Sequence, residues 1–220
     1  MQTIKVTQRS EARKEEFLRT AETLFNEKGY EHTSVDDIVA RMSVAKGLFY
    51  YYFDSKDQLL ELLIRRLIDE VRANVAGVVA RQDLSALEKL GELARSNNEI
   101  KARSLTLVAY FNEDRNKALH YLMEDQMTEF MVPAMEVIIR QGLEEGVFHT
   151  PYPRETAIAI LSTFRVLSHD RLYNSDPASE TSLAAVLIYM GERLLGLDPK
   201  DKGRYLEPLQ RECQSTKSKK

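Results

Sequence analysis

Apolar positions recur along almost the whole chain with the 3.6-residue period of an α-helix. Phe17, Leu18, Ala21, Leu24 and Phe25 fall at i, i+1, i+4, i+7 and i+8 and form one stripe. Gly29 follows, where a helix C-terminus favours a residue tolerant of positive φ. A second stripe, Val35, Ile38, Val39 and Met42, opens at Ser34, whose hydroxyl can cap free backbone amides while Asp37 complements the positive helix end. After a break at Ser43-Val44 comes a brief segment from Ala45 to Phe53. Ser55-Lys56-Asp57-Gln58 then has the pattern of a capping box and predicts a long helix from Lys56 to about Arg81.

The same period continues over 84–95, 102–111, 117–145, 153–173 and 179–195. The intervening breaks fall at Asn97-Asn98, at 114–116, at Gly146 with Pro151 and Pro153, and at Asp176-Pro177. No alternating strand pattern interrupts this. The expectation is an all-α chain of about nine helices, without a repeat of solenoid period. At 220 residues, with 43% hydrophobic residues and only 9 Gly and 6 Pro, the chain is long and ordered enough to bury a core unaided. A lone cysteine, Cys213, excludes an intramolecular disulfide framework and suits a reducing compartment. No apolar run approaches a membrane span and no signal-peptide core stands at the N-terminus, so the expectation is a cytoplasmic protein with no membrane partner.

Charge changes the picture only when it is divided by position. The whole chain carries −3, from 31 Lys and Arg against 34 Asp and Glu, which argues against a uniformly basic coat for nucleic acid. Residues 1–60 hold 9 basic and 10 acidic groups, residues 61–199 hold 15 and 21, and residues 200–220 hold 7 and 3. An arm with Lys5, Arg9, Arg13 and Lys14 therefore precedes an acidic body, and a basic tail follows it. Both ends read as solvated termini. This organisation divides the chain into a head at 1–57, a helical body at 58–199 and a tail at 200–220.

The segments 35–42 and 45–52 have the layout of a helix-turn-helix, in which the second helix enters the DNA major groove. Lys46, Tyr50, Tyr51 and Tyr52 crowd that second helix, whereas Phe49 and Phe53, four apart, can turn to the core. On the residues alone two readings of the tyrosines stand: packing between helices, or hydroxyls and rings offered to phosphates, sugars and base edges.

The stretch Thr33-Ser-Val-Asp-Asp-Ile-Val-Ala-Arg-Met-Ser-Val-Ala-Lys-Gly-Leu-Phe-Tyr-Tyr-Tyr-Phe-Asp-Ser-Lys-Asp-Gln-Leu-Leu60 resembles the N-terminal signature of the tetracycline-repressor-like (TetR/AcrR) family of transcriptional regulators, with matching spacing from Phe17 to Leu63. The resemblance implies a DNA-binding interface of Thr33, Ser34, Ala45, Lys46, Leu48, Tyr50, Tyr51, Tyr52 and Lys56. In it Thr33, Ser34 and Lys56 meet phosphates, and Ala45, Lys46 and Leu48 face bases. Lys46 suits guanine O6 and N7, and Leu48 suits a thymine methyl. Two departures stand out: Ser43 occupies a turn position usually held by Gly, and Tyr52 replaces a frequent His.

In the body, Met123, Met127, Met131 and Met135 recur every four residues on a helix that Pro133 is expected to kink. As residues alone, this stripe reads as core. The resemblance implies an effector cavity among the middle helices, for which Tyr110, Phe111, Met127, Met131, Phe164 and His169 are the candidate lining. Leu183, Val186, Leu187, Met190 and Leu194 form an apolar stripe that suits burial against a partner, and the resemblance implies a homodimer across the last two helices. The function so implied is a one-component regulator, a repressor, that binds a near-palindromic DNA operator as a dimer and is released by a small, largely apolar effector. The alternative is a helix-turn-helix dimer with an architectural or protein-interaction role and no small-molecule sensing. Enzymatic chemistry is not expected: His32, His120, His149 and His169 are scattered without metal spacing, Cys213 lies in the tail, and no phosphate loop, nucleophile elbow or cofactor motif occurs.

Overall fold

The computed structural model describes residues 2–104, 117–169 and 179–197. They form eight helices and, among the described residues, no strand. The helices are α1 (Gln2–Lys28), α2 (Val35–Arg41), α3 (Lys46–Tyr52), α4 (Lys56–Ala80), α5 (Ala86–Arg103), α6 (Lys117–Glu144), α7 (Pro153–His169) and α8 (Ser179–Leu195). Two compact units result, residues 1–70 with 101–120, and residues 71–100 with 121–220. No helix among the described residues is long and apolar enough to cross a membrane.

The backbone of the basic arm forms the first turns of α1. One expectation changes: the chain does not break at Asn97-Asn98, since α5 runs through both to Arg103. Asparagine weakly disfavours helix, but Leu87, Leu90, Leu93 and Ile100 are all buried on α5 and hold it through the pair. The helix expected over 102–111 is thus partly absorbed into α5, and its remainder lies outside the described residues. Pro133 sits inside α6, which continues on both sides of it.

The core of the first unit is aromatic. Phe17 and Phe25 from α1, Phe49 from α3 and Phe53 just after it are all but fully buried. Phe17 meets Phe49 and Phe53 edge-on, at centroid distances of 5.8 and 5.7 Å. Helices of seven residues such as α2 and α3 are too short to persist alone in water. Each is held by the side chains it buries: Ile38 and Val39 from α2, and Phe49 from α3. A buried aromatic or aliphatic side chain contributes roughly 1.5–3 kcal/mol, so Phe49 and Phe53 set where α3 lies and which of its faces looks outward.

In the second unit α7 packs against α8. The close of α8 is tied to the loop before α7: the His149 amide donates to the Leu195 carbonyl at 2.8 Å, and the His149 ring nitrogen Nδ1 lies 3.1 Å from the Gly196 carbonyl. Gly196 has φ +63°, and a Cβ there would lie 2.2 Å from the His149 carbonyl oxygen, so both conformation and space demand glycine.

Candidate nucleic-acid interface

The start of α2 is a complete capping box. Ser34, in extended conformation, accepts from the Asp37 amide at 3.1 Å, and the Asp37 carboxylate accepts from the Ser34 amide at 2.8 Å. The Ser34 hydroxyl also lies 2.6 Å from Asp37 Oδ2, and Lys28 Nζ pairs with the same oxygen at 2.9 Å. These bonds, the Ser34 hydroxyl first and Lys28 next, hold the Asp37 carboxyl well below the usual carboxylate range.

α2 ends in a Schellman turn. The Val44 amide donates to Val39 and the Ser43 amide to Ala40, each at 3.0 Å, while Ser43 takes φ +54°. Among the described residues Ser43 is the one non-glycine with positive φ, which costs a residue bearing a Cβ about 1–2 kcal/mol. The strain is accepted because the turn must deliver Ala45 as the N-cap of α3.

Because Phe49 faces inward, the outer face of α3 displays Lys46, Tyr50 and Tyr51, and Ala45 just before it is exposed too. Tyr51 is 75% and Tyr50 52% exposed. Tyr52 divides from them: it is half-buried, with its ring 5.9 Å from Phe17 and 4.9 Å from Tyr51. The three tyrosines therefore divide, Tyr52 packing inward and Tyr50 and Tyr51 facing outward. Leu48 is half-buried. Lys46 Nζ lies 2.9 Å from the carboxylate of Asp36 on α2, and that bond raises the lysine above its ordinary range.

Two expected phosphate contacts turn inward instead. Thr33 is 1% exposed and its hydroxyl donates to the Gly29 carbonyl at 2.8 Å, so it closes the turn after α1. Lys56, at the start of α4, donates to the carbonyls of Tyr30 and Thr33, each at 2.9 Å, with its ammonium 3.9 Å above the Tyr30 ring. Burial lowers its pKa. The Tyr30 hydroxyl in turn donates to Asp57. Lys56 fixes the α1–α2 turn to α4 from beneath, with two of its three N–H donors spent on carbonyls. Residue spacing gave no warning, because the partners lie 23 and 26 positions away.

Two segments of the chain, the first containing this geometry, match models of one family. Residues 17–63 match the description "Bacterial regulatory proteins, tetR family", and residues 101–182 match "Tetracyclin repressor-like, C-terminal domain", together more than half of the chain. The chain belongs to the TetR family. It is a DNA-binding transcriptional regulator, as members of that family are. Among similar proteins is the HTH-type transcriptional repressor KstR2 of Rhodococcus jostii, 29% identical over 154 residues, covering 68% of this chain and 74% of that protein. A TetR/AcrR-family regulator from Thermobifida fusca superposes with a TM-score of 0.61 at 24% identity, over 84% of this chain and 97% of that one. SmeT, repressor of the Stenotrophomonas maltophilia multidrug efflux pump SmeDEF, gives a TM-score of 0.60 at 17% identity, over 84% and 91%.

The candidate effector residues are not gathered by the described structure. Tyr110 and Phe111 lie outside the described residues, as does the side chain of His169. Met127 and Met131 are half-buried on α6, and Phe164 is 57% exposed on α7, so it is not enclosed as a pocket wall would be. An open depression of about 550 Å³ in the second unit is lined by none of these but by Arg72, Glu129, Phe130, Pro133, Ala134 and Val137. Of the candidate dimer stripe, Val186, Leu187 and Leu194 are half-buried, Met190 is exposed, and the side chain of Leu183 lies outside the described residues. Ile158, Phe164, Val166 and Tyr189 are exposed on the same two helices and were absent from the sequence-based stripe.

Proposed function

We propose that this regulator is a cytoplasmic repressor that binds a near-palindromic operator as a homodimer and leaves it when an apolar effector enters the body. In this reading residues 1–57 are the DNA-binding head, and 58–199 carry regulation and dimerisation. The observation that carries it is the outer face of α3, where Ala45, Lys46, Tyr50 and Tyr51 stand in water on a helix whose position Phe49 and Phe53 fix from inside. Each ring has one edge-on aromatic neighbour, Phe49 for Tyr50 and Tyr52 for Tyr51, and leaves the rest of its surface and its hydroxyl in water; against DNA the hydroxyls meet phosphates and the rings meet sugars. Lys46 at the base-facing end donates to guanine, Leu48 meets a thymine methyl, and Ser34 lies at the α2 N-terminus, where backbone amides attract a phosphate. Thr33, Tyr52 and Lys56 hold this surface from behind.

Dimerisation is supported by the apolar side chains exposed on α7 and α8, an arrangement that favours an isologous helical interface. Repression is supported by the likeness to KstR2, a transcriptional repressor. The test is selection of bound duplexes from a randomised library, followed by sequencing and by the mass of the complex in solution. A recovered motif with two-fold symmetry, bound by two chains, fits the proposal. Recovery of no motif, or binding by a single chain, overturns it. Lys46→Ala and Leu48→Ala shift the recovered bases, whereas Tyr50→Phe weakens all duplexes alike.

A further inference from the structure

Lys46 is the first residue of α3, so its ammonium stands at the positive end of a helix, where a cation is disfavoured. Asp36 stands in the first turn of α2, 70% exposed in its side chain, and its carboxylate holds the ammonium at 2.9 Å. The capping box does not need Asp36, because Ser34 and Asp37 complete it between themselves. Nor does the core, since the pair is exposed on both sides. What Asp36 does is neutralise the Lys46 ammonium.

The rest of the first unit follows the same habit at other positions: Lys28 pairs with Asp37, Arg41 with Glu27, Arg13 with Glu16 and Arg66 with Glu15. Lys46 differs from these in standing on the outer face of α3 beside Tyr50 and Tyr51.

We infer that Asp36 is a specificity-determining residue, which keeps Lys46 from taking any phosphate it meets and releases it, or shares it, only where two converging acceptors of a base edge are offered. This rests on the reading of α3 as the base-reading helix. A single phosphate oxygen offers the ammonium little more than the carboxylate it already has, and Asp36 left bare beside the DNA backbone is repelled. The O6 and N7 of guanine offer two acceptors at once, so an ammonium with three donors can hold both and still keep Asp36. The carboxylate thus weakens unspecific binding more than specific binding.

The experiment measures fluorescence anisotropy of the full chain on two duplexes, the one recovered by selection with the wild-type protein and a scrambled duplex of the same composition, across a salt series. With Asp36→Asn, affinity for the scrambled duplex is expected to rise about threefold, the scale of one exposed ion pair, and its salt slope to steepen by about one as one more phosphate is neutralised. The selected duplex gains less, so the ratio between the two falls. Asp36→Glu, which keeps the charge and can re-form the pair, restores the ratio. In a Lys46→Ala background Asp36→Asn leaves the ratio unchanged. Equal gains on both duplexes, or the same loss of ratio without Lys46, overturn the inference. A wild-type protein that does not distinguish the two duplexes overturns the reading of α3 as well.

Discussion

On α3, Tyr50 and Tyr51 stand in water next to a lysine already held by a carboxylate, whereas α7 and α8 leave Ile158, Phe164, Val166, Tyr189 and Met190 in water. The first surface suits a partner that must come and go: tyrosine hydroxyls and a neutralised cation rather than aliphatic side chains. The second suits a partner that stays, because exposed apolar area gains by being covered and loses by being uncovered. The difference also locates the energy. On α3 the packing lies behind the surface, in Phe49 and Phe53, while on α7 and α8 apolar packing groups are part of the surface itself.

The largest expected effect separates the inside of α3 from its outside. Phe49→Ala removes a fully buried ring that touches Phe17 and Phe53 and is expected to cost about 3–5 kcal/mol in urea unfolding. Next, Phe164→Asp on α7 is expected to raise the dissociation constant of the proposed dimer about thirtyfold in sedimentation experiments, the cost of one well-buried contact, without changing the fold by circular dichroism. An unchanged dimer would show that the exposed face of α7 is not the interface.

Ser43→Gly relieves the positive φ between α2 and α3 and is expected to stabilise the first unit by about 1 kcal/mol in thermal unfolding. Tyr51→Ala should change stability by less than about 0.5 kcal/mol, being an exposed side chain, yet lower affinity for the selected duplex. If its stability loss matched that of Phe49→Ala, the division between the inner and outer faces of α3 would fail. Acid gives the last contrast. Asp37 is held ionised in the folded head, so its contribution is complete above the unfolded carboxyl range near pH 4 and is lost as pH falls below it through the depressed folded value. Acid unfolding followed by tyrosine fluorescence is expected to begin later in wild type than in Ser34→Ala, which lacks the hydroxyl that depresses that value.

Much of this was legible in the residues, and the limits have physical causes. The Ser34–Asp37 box, the end of α1 at Gly29 and the inward turn of Phe49 all depend on neighbours within four positions, where helical geometry links spacing directly to contact. The ammonium of Lys56 under the α1–α2 turn and the Lys46–Asp36 pair depend on how separate elements meet, which spacing does not encode. Lys56 is the instructive case: a cation near a helix N-terminus resembles an anion site, but two backbone carbonyls and a ring reached it first. Asn97-Asn98 misled in the opposite sense, since a local preference for turns lost to four buried apolar neighbours on one helix.

The bond from the His149 amide to the Leu195 carbonyl has a consequence for the order in which the molecule can form. During synthesis the chain leaves the ribosome N-terminus first, at about 5–20 residues per second. The loop before α7 emerges well before its partner at the end of α8, where Leu195 and, two residues on, Leu197 are both buried. Until they arrive, α7 has neither α8 to pack against nor a fastening for the loop that starts it. A message cut short a few codons before Leu195 would therefore yield a chain carrying every residue of α2 and α3 but lacking the clasp of its second unit, a product for proteolysis rather than a shortened regulator.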